Sequence, residues 1–423
     1  MRWTLVGAVL ALAACSAPPR LAEVEGALSL GPGGPPAAGA WVYLEGPLGA
    51  WGARTDAAGR FRLFVPPGPY RAWVEGEGLA GSEVRGLSFP AGRAFLPLVA
   101  LAPFRSGWPR NPPQVSGEAW VEGGLVRYRA GMEAQGGLTP LALLVGLGAQ
   151  PGSLVSGVGE HFYLEETRDT GVRTLDPRGI GGPSELWLVA YDANNNRTAL
   201  RLPLNLPGGE AIGSVRGLEA VAYTLARRVE ALGLGGEYSL FVRLSWEGEG
   251  GPYVLRRLAP GGDHTLAQLP KGSTGFTDAL PGLLPGERVC YRVEAPQGAA
   301  SACTTPLSPL SVRILFPEEG ARTSPTPHLA WWVEGGEGAR SFRFLPVIWD
   351  QLSGGGRFLE PTGATEAEAP PLLPGRPYAF ELYQAYAVDD AENPSAYSVA
   401  ADRQGVLSGV PVPGPAVSFE VGP

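Results

Sequence analysis

The chain has 423 residues, too many for one ordinary core, so several domains are expected. Gly (62) and Pro (43) fill about a quarter of it, yet 44% of residues are hydrophobic and 11 are Trp, which excludes a disordered polymer. A net charge of −8 argues against a nucleic-acid partner, because phosphate recognition rewards a basic face.

The first residues have the grammar of an export signal. Arg2 gives a positive start, Leu5 to Leu12 an apolar run too short to cross a membrane, and small residues precede Cys15. Leu12-Ala13-Ala14-Cys15 resembles the bacterial lipobox. That resemblance implies a signal peptide over 1–14, a lipid on Cys15, a tether over 15–20 and the membrane as the lipid's partner. It places the protein in the bacterial cell envelope, exported and lipid-anchored, and Ser16 in place of Asp points to an outer membrane or cell surface.

Behind the tether, Gly and Pro punctuate short apolar runs, the pattern of turn-rich β proteins. The expected fold class is all-β, a tandem array of about four β-sandwich domains. The first covers 21–102. Val24, Gly26, Leu28 and Leu30 share one parity, and Trp41-Val42-Tyr43-Leu44 is a second strand. Thr55-Asp56-Ala57-Ala58-Gly59 is a turn in which Asp bonds the backbone ahead of it. Phe61, Leu63 and Val65 alternate after it, and Pro66-Pro67-Gly68-Pro69-Tyr70 turns into the next strand. Gly39-Ala40-Trp41-Val42-Tyr43-Leu44, Thr55-Asp56, Gly59-Arg60-Phe61 and the Pro66–Tyr70 turn together resemble the carboxypeptidase regulatory-like domain. The resemblance implies a transthyretin-like sandwich without catalytic groups, accessory to an enzyme that does not follow here.

Residues 103–113 are a Pro- and Arg-bearing linker, stiff where prolines cluster. The second unit, 114–206, holds an alternating strand around Leu125–Ala130, then Glu185–Tyr191, a polar turn and Thr198–Leu204. That hairpin is similar to the last one of bacterial immunoglobulin-like domains.

In the third unit, 214–309, Leu218, Val221, Ala222, Leu225, Val229 and Leu232 fall at helical spacing before Gly233. The neighbouring pattern favours a strand there: Leu244-Ser245-Trp246, Tyr253–Arg257 and Cys290–Ala295 resemble fibronectin type III strands. Val289 stands where that family often has Tyr, so the tyrosine-corner bond is expected to be missing. The fourth unit, 310–423, repeats the grammar with Leu329-Ala330-Trp331 and Leu373-Pro374-Gly375 before Tyr378, which can supply that bond. Between Ala387 and Pro413 it departs from the pattern, and a long polar loop is expected before Val417–Val421.

Few residues offer chemistry. Cys290 and Cys303 are equidistant from a hairpin turn near Pro296-Gln297, so they oppose each other across two strands and form a structural disulfide. Closing so short a loop stabilises by about 3 kcal/mol at most. Asp192, Asn194 and Asn196 have D-x-N-x-N spacing, a weak calcium candidate without the later bidentate Glu, and read as an ordinary hairpin turn; Asp389–Asn393 is a second acidic loop. Asn196-Arg197-Thr198 is a glycosylation sequon of little meaning in a bacterial lipoprotein. Gly76-Glu77-Gly78-Leu79-Ala80-Gly81 matches a dinucleotide motif, but Ser82–Gly86 does not read as the helix such a site needs.

His161, His264 and His328 lie in three units and form no local metal or triad pattern. Glu165, Glu166 and Asp169 are a solvated acidic cluster. Of Trp51, Trp332 and Trp349, Trp332 faces away from the core because Leu329, Trp331 and Val333 share the opposite parity. It stacks on a sugar or packs at a domain junction.

These readings imply a noncatalytic envelope protein, a β-sandwich spacer or protein-interaction module with no cofactor and no resident metal. The alternative is an envelope glycan-binding protein using exposed aromatics of the last unit. The expected partners are the membrane and envelope proteins or glycans.

Overall fold

The computed structural model describes residues 21–151, 169–208, 212–226, 238–259 and 262–423, together with the backbone of 161–164. The export signal and Cys15 lie outside these residues. All regular structure among the described residues is β.

The strands fall in four successive stretches. The first holds β1 (Ala22–Leu30), β2 (Trp41–Gly46), β3 (Gly49–Arg54), β4 (Arg60–Val65), β5 (Gly68–Glu75), β6 (Ser82–Phe89) and β7 (Gly92–Ala100). The second holds β8 (Gln114–Glu122), β9 (Leu125–Glu133), β10 (Pro140–Leu147), β11 (His161–Leu164), β12 (Arg173–Leu175), β13 (Gly182–Asp192) and β14 (Arg197–Leu206). The third holds β15 (Ile212–Leu225), β16 (Ser239–Gly251), β17 (Tyr253–Leu258), β18 (His264–Leu269), β19 (Gly275–Asp278), β20 (Val289–Ala295) and β21 (Gly298–Thr304). The fourth holds β22 (Leu310–Phe316), β23 (Ala321–Thr323), β24 (His328–Gly335), β25 (Ser341–Asp350), β26 (Gly356–Phe358), β27 (Glu366–Glu368), β28 (Pro377–Val388), β29 (Ala396–Asp402) and β30 (Ala416–Val421).

Alternation builds the sandwiches as expected. In the first stretch Val42 and Leu44 of β2 meet Val24, Leu28, Phe61 and Leu63 of the three-stranded sheet β4-β1-β7 in one core. The opposite sheet does not stop at β6. Thr198 of β14 pairs in parallel with Glu83 of β6, so one eight-stranded sheet runs β11-β10-β13-β14-β6-β5-β2-β3.

This explains the apolar run along β13, where every residue from Leu186 to Asp192 is buried. Leu186, Leu188 and Ala190 pack toward the sheet β12-β9-β8, while Trp187, Val189 and Tyr191 join the first core. A strand covered on both faces has no polar parity left to show.

The second half repeats the device. Tyr223 of β15 lies parallel beside Tyr397 of β29, joining the third and fourth stretches into a nine-stranded sheet. The sheets β18-β17-β20-β21 and β22-β24-β27 cover it, and one core holds Trp246, Tyr291, Trp331 and Phe380 together.

The helical spacing at 218–232 resolves as strand as far as Leu225; the residues beyond 226 lie outside the described set. Ala220 and Ala222 face the main core, whereas Tyr223 and Leu225 face a smaller one with Phe241, Val399 and Val412. Burial on both faces places apolar residues on both parities, and that mimics a helix. The expected loop over 387–413 is corrected in part: Ala396–Asp402 is the strand that carries the sheet across the boundary. Its Ala and Ser residues lack the β-branched signature that marks strands.

The units also touch laterally. Gly33 donates its N–H to the Ala279 carbonyl and accepts from Leu240 N–H, both at 2.6 Å, which docks the first stretch on the third. Gln268 N–H donates to Gly148 O and Lys271 N–H to Arg178 O, each at 2.8 Å, which docks the second on the third.

Candidate functional site

The lateral docking leaves a cleft of about 630 Å³ between the first and third stretches. Its first wall is the end of β4 and the turn before it. Asp56 Oδ1 accepts the N–H groups of Ala58 and Arg60, the expected turn bonding, and so sets Arg60 at the rim. There Arg60 pairs with Glu287 across the junction.

The opposite wall rests on a buried network. Arg257 grips both Asp278 oxygens, with Nη2 to Oδ1 at 2.7 Å and Nε to Oδ2 at 3.0 Å, and Tyr291 donates its hydroxyl to Oδ2 at 2.8 Å. Arg257 also donates to the Pro281 carbonyl, which fixes the loop that carries Leu283 into the cleft. Burial and the adjacent Asp278 charge push the Tyr291 phenol well up, so it stays protonated. Tyr291 thus anchors the region where the corner Tyr is absent at Val289. In the other units Tyr70 donates to Pro66 O at 2.6 Å, and Tyr378 accepts from Leu373 N–H at 3.0 Å.

His264 stacks on Phe95 of the first stretch, ring centroids 4.3 Å apart, and closes the cleft's floor. Burial, then the Arg257 charge, lower its pKa, with Asp263 opposing them, so the imidazole is neutral at pH 7. Arg54 and Arg288 also line the cleft. Arg54 donates Nε to the Gly39 carbonyl, and Arg288 is exposed. Guanidinium groups in such a recess suit a carboxylate on a partner. Sequence reasoning missed this site, since its two walls lie more than 160 positions apart in the chain and no motif links them.

The residues singled out from sequence are dispersed. Cys290 and Cys303 stand in register on β20 and β21 and are joined, S–S 2.07 Å with Cα atoms 4.0 Å apart. Asp192, Asn194 and Asn196 form a bolt between units. Asp192 Oδ1 accepts the N–H groups of Asn194 and Asn196, and its Oδ2 accepts Asn196 Nδ2. Asn194 Oδ1 accepts Arg105 N–H and Asn196 Oδ1 accepts Gly81 N–H, while both side-chain amides donate to the Pro109 carbonyl. The oxygens considered for calcium therefore hold the 103–113 linker and the first stretch. Gly76–Gly81 is the turn between β5 and β6, with strand and no helix after it.

Trp332 points outward, 51% exposed, opposite Arg313, while its neighbour Trp331 is core. Trp51 packs edge-on against Tyr70. Trp349 donates Nε1 to Glu381 at 2.8 Å and lies under Arg403. His328 is exposed between Glu366 and Glu368, remote from His264 in chain and sheet, and the side chain of His161 lies outside the described residues. Glu165 and Glu166 lie outside them too. Asp169 pairs with Arg129, which, with the Gly171 N–H, lowers its carboxyl to about 2.

No protein-family model matches the sequence, and no curated protein matches it. Among solved structures, the chain is similar to a tetra-tandem repeat from the extending region of a large adhesion protein. The identity is 11%, over 94% of this chain and 98% of that one, with a TM-score of 0.18. A DUF3823 family protein from Bacteroides ovatus ATCC 8483 matches at 10% identity over 44% of this chain and 99% of that one, TM-score 0.22. The N-terminal four Ig domains of Dscam1 isoform 1.9 match at 10% over 90% and 91%, TM-score 0.21. The all-β architecture stands on the strands described above.

Proposed function

We propose that this chain is a noncatalytic, lipid-anchored protein of the bacterial cell envelope, a β-sandwich spacer and protein-interaction module. Its units are bounded near 21–102, 114–206, 214–309 and 310–423, the first carboxypeptidase regulatory-like, the second immunoglobulin-like and the last two fibronectin type III-like. The observation that carries it is the continuity of sheets across unit boundaries, β6 on β14 and β15 on β29. A protein that holds a recognition surface away from a membrane must not bend at each junction, and shared sheets remove the hinges that free linkers would leave. The Arg-lined cleft between the first and third units is where a partner's acidic group would seat.

The anchor is tested at Cys15. In a bacterial host the full chain is expected to sediment with membranes, with its N-terminal peptide heavier by acyl chains. Cys15→Ser is expected to move to the soluble fraction with its β spectrum unchanged. Membrane partition that survives Cys15→Ser would refute the lipid anchor. A second function is envelope glycan binding through the last unit, favoured by the outward ring of Trp332 beside Arg313.

A further inference from the structure

The outer face of the first unit's sheet carries aromatic side chains that its core does not use. Val42 and Leu44 point inward and are fully buried, so alternation sends Trp41 and Tyr43 outward. Trp73 stands opposite Tyr43 on β5 and joins them. The rings of Tyr43 and Trp73 lie 5.0 Å apart with planes 19° from parallel, and Trp41 follows Tyr43 at 5.9 Å and 15°. On the edge strand β3 the residue facing Tyr43 is Gly52, where a Cβ would stand 2.9 Å from the Tyr43 ring. The Tyr43 ring therefore lies over Gly52 of the edge strand, with Arg54 across from Trp41.

Polar groups frame this ladder. Arg71 lies 5.5 Å from the Trp73 ring centroid and bonds Glu83 at 2.7 Å, with Glu45 at 3.5 Å. Trp73 Nε1 donates to Glu75 at 3.2 Å, and Arg54 stands opposite Trp41. Cross-strand aromatic pairs and cover for a strand glycine account for Tyr43 and Trp73 by sheet stability alone. They do not account for Trp41, which leaves 45% of its surface in water at the free end of the stack.

Building on the glycan reading above, we propose that this face, and not Trp332, binds a neutral oligosaccharide, with one pyranose ring on Trp41. A pyranose has an apolar C–H face for the indole and a rim of hydroxyls for the planar groups in register with Trp41, Glu75 on β5 and Arg54 on β3, while Arg71 and Glu45 stand at the far end of the ladder for the next sugars of the chain. The charge on the face selects a neutral ligand. Arg71 and Arg85 pair with Glu45 and Glu83, and Arg54 and Glu75 stand on either side of Trp41, so these six formal charges sum to zero and give little to draw an anionic bilayer or a polyanion.

The test is affinity electrophoresis of the full chain through gels containing xylan, glucomannan or dextran. Polygalacturonate gels and flotation with phosphatidylglycerol vesicles are the anionic arms. At least one neutral polysaccharide should retard the wild type. Trp41→Ala and Trp41→Leu should weaken that retardation about tenfold or more, and Trp332→Ala should not. Trp41→Leu keeps apolar bulk without the flat ring, and unchanged unfolding midpoints would show that both variants fold. Retardation kept by Trp41→Leu, or stronger binding to polygalacturonate or vesicles, overturns the proposal. Loss on Trp332→Ala alone overturns this placement and leaves glycan binding standing; no retardation by any neutral polysaccharide overturns both.

Discussion

Arg257 shows how a cation is kept inside a β-sandwich. Its guanidinium reaches two carboxylate oxygens and two carbonyls, so the desolvation cost is met by directed, charge-assisted bonds. The same charge acts on His264, the residue that stacks on Phe95 at the junction of the first and third units. Folding lowers this imidazole's pKa through burial and Arg257, so the unfolded chain takes up the proton first. The stability it contributes is whole above the unfolded value of about 6.5 and is lost as pH falls below it. Asp263 is the acidic neighbour that softens the effect. We expect the wild-type melting temperature to drop between about pH 7.5 and about pH 5, and the drop to be smaller in His264→Gln. Differential scanning fluorimetry at both pH values measures it, and equal drops in the two proteins would remove His264 as the cause.

At the scale of strands, the sequence is most legible where only one face is buried. On β24, Leu329 and Trp331 are core and Trp332 is not, as parity requires. The Cys290–Cys303 register follows from counting about a hairpin turn for the same reason. Legibility fails where a strand is covered twice, along β13 and the last part of β15, because apolar residues then fall on both parities and period 2 disappears. It fails also for the Asp192–Asn196 turn, whose local chemistry was readable but whose long-range partners were not. Nothing in D-x-N-x-N spacing says that Gly81 and Pro109 will supply the groups it binds. Asn196→Ala should leave the Gly81 N–H without its acceptor and Asp192 Oδ2 without its donor, with the Pro109 carbonyl held by Asn194 alone, and cost about 2–4 kcal/mol summed over the unmet groups. The linker over 103–113 should then become cleavable by trypsin at Arg105 and Arg110 while β8 to β10 stay protected. Cleavage no faster than in the wild type would show that Asn194 alone holds the linker.

At the scale of the molecule, four sandwiches strung on linkers and four sandwiches sharing sheets contain the same strands but differ in stiffness. Two parallel pairings, β6 with β14 and β15 with β29, turn the units into two welded pairs. A sequence cannot announce such a pairing, because the partners lie far apart and each strand would look the same with a free edge. The two pairs are then held to each other by few groups, among which Gly33 is the most exacting. Its φ is +65°, and a Cβ would stand 2.8 Å from the Leu240 carbonyl that flanks its hydrogen bonds to the third unit. A β-branched residue is strained at that φ whatever the space around it. Gly33→Val should therefore undock the first unit from the third and open the cleft, while the welded sheets and the Cys290–Cys303 bond persist. The expected signature is a larger radius of gyration by small-angle scattering with an unchanged far-ultraviolet spectrum. It should be joined by faster amide exchange at Leu240, whose N–H now reaches Gly33 O at 2.6 Å. A scattering profile identical to the wild type would mean that the Arg60–Glu287 pair, the Phe95–His264 stack and the Gln268–Gly148 and Lys271–Arg178 backbone bonds hold the pairs together without Gly33.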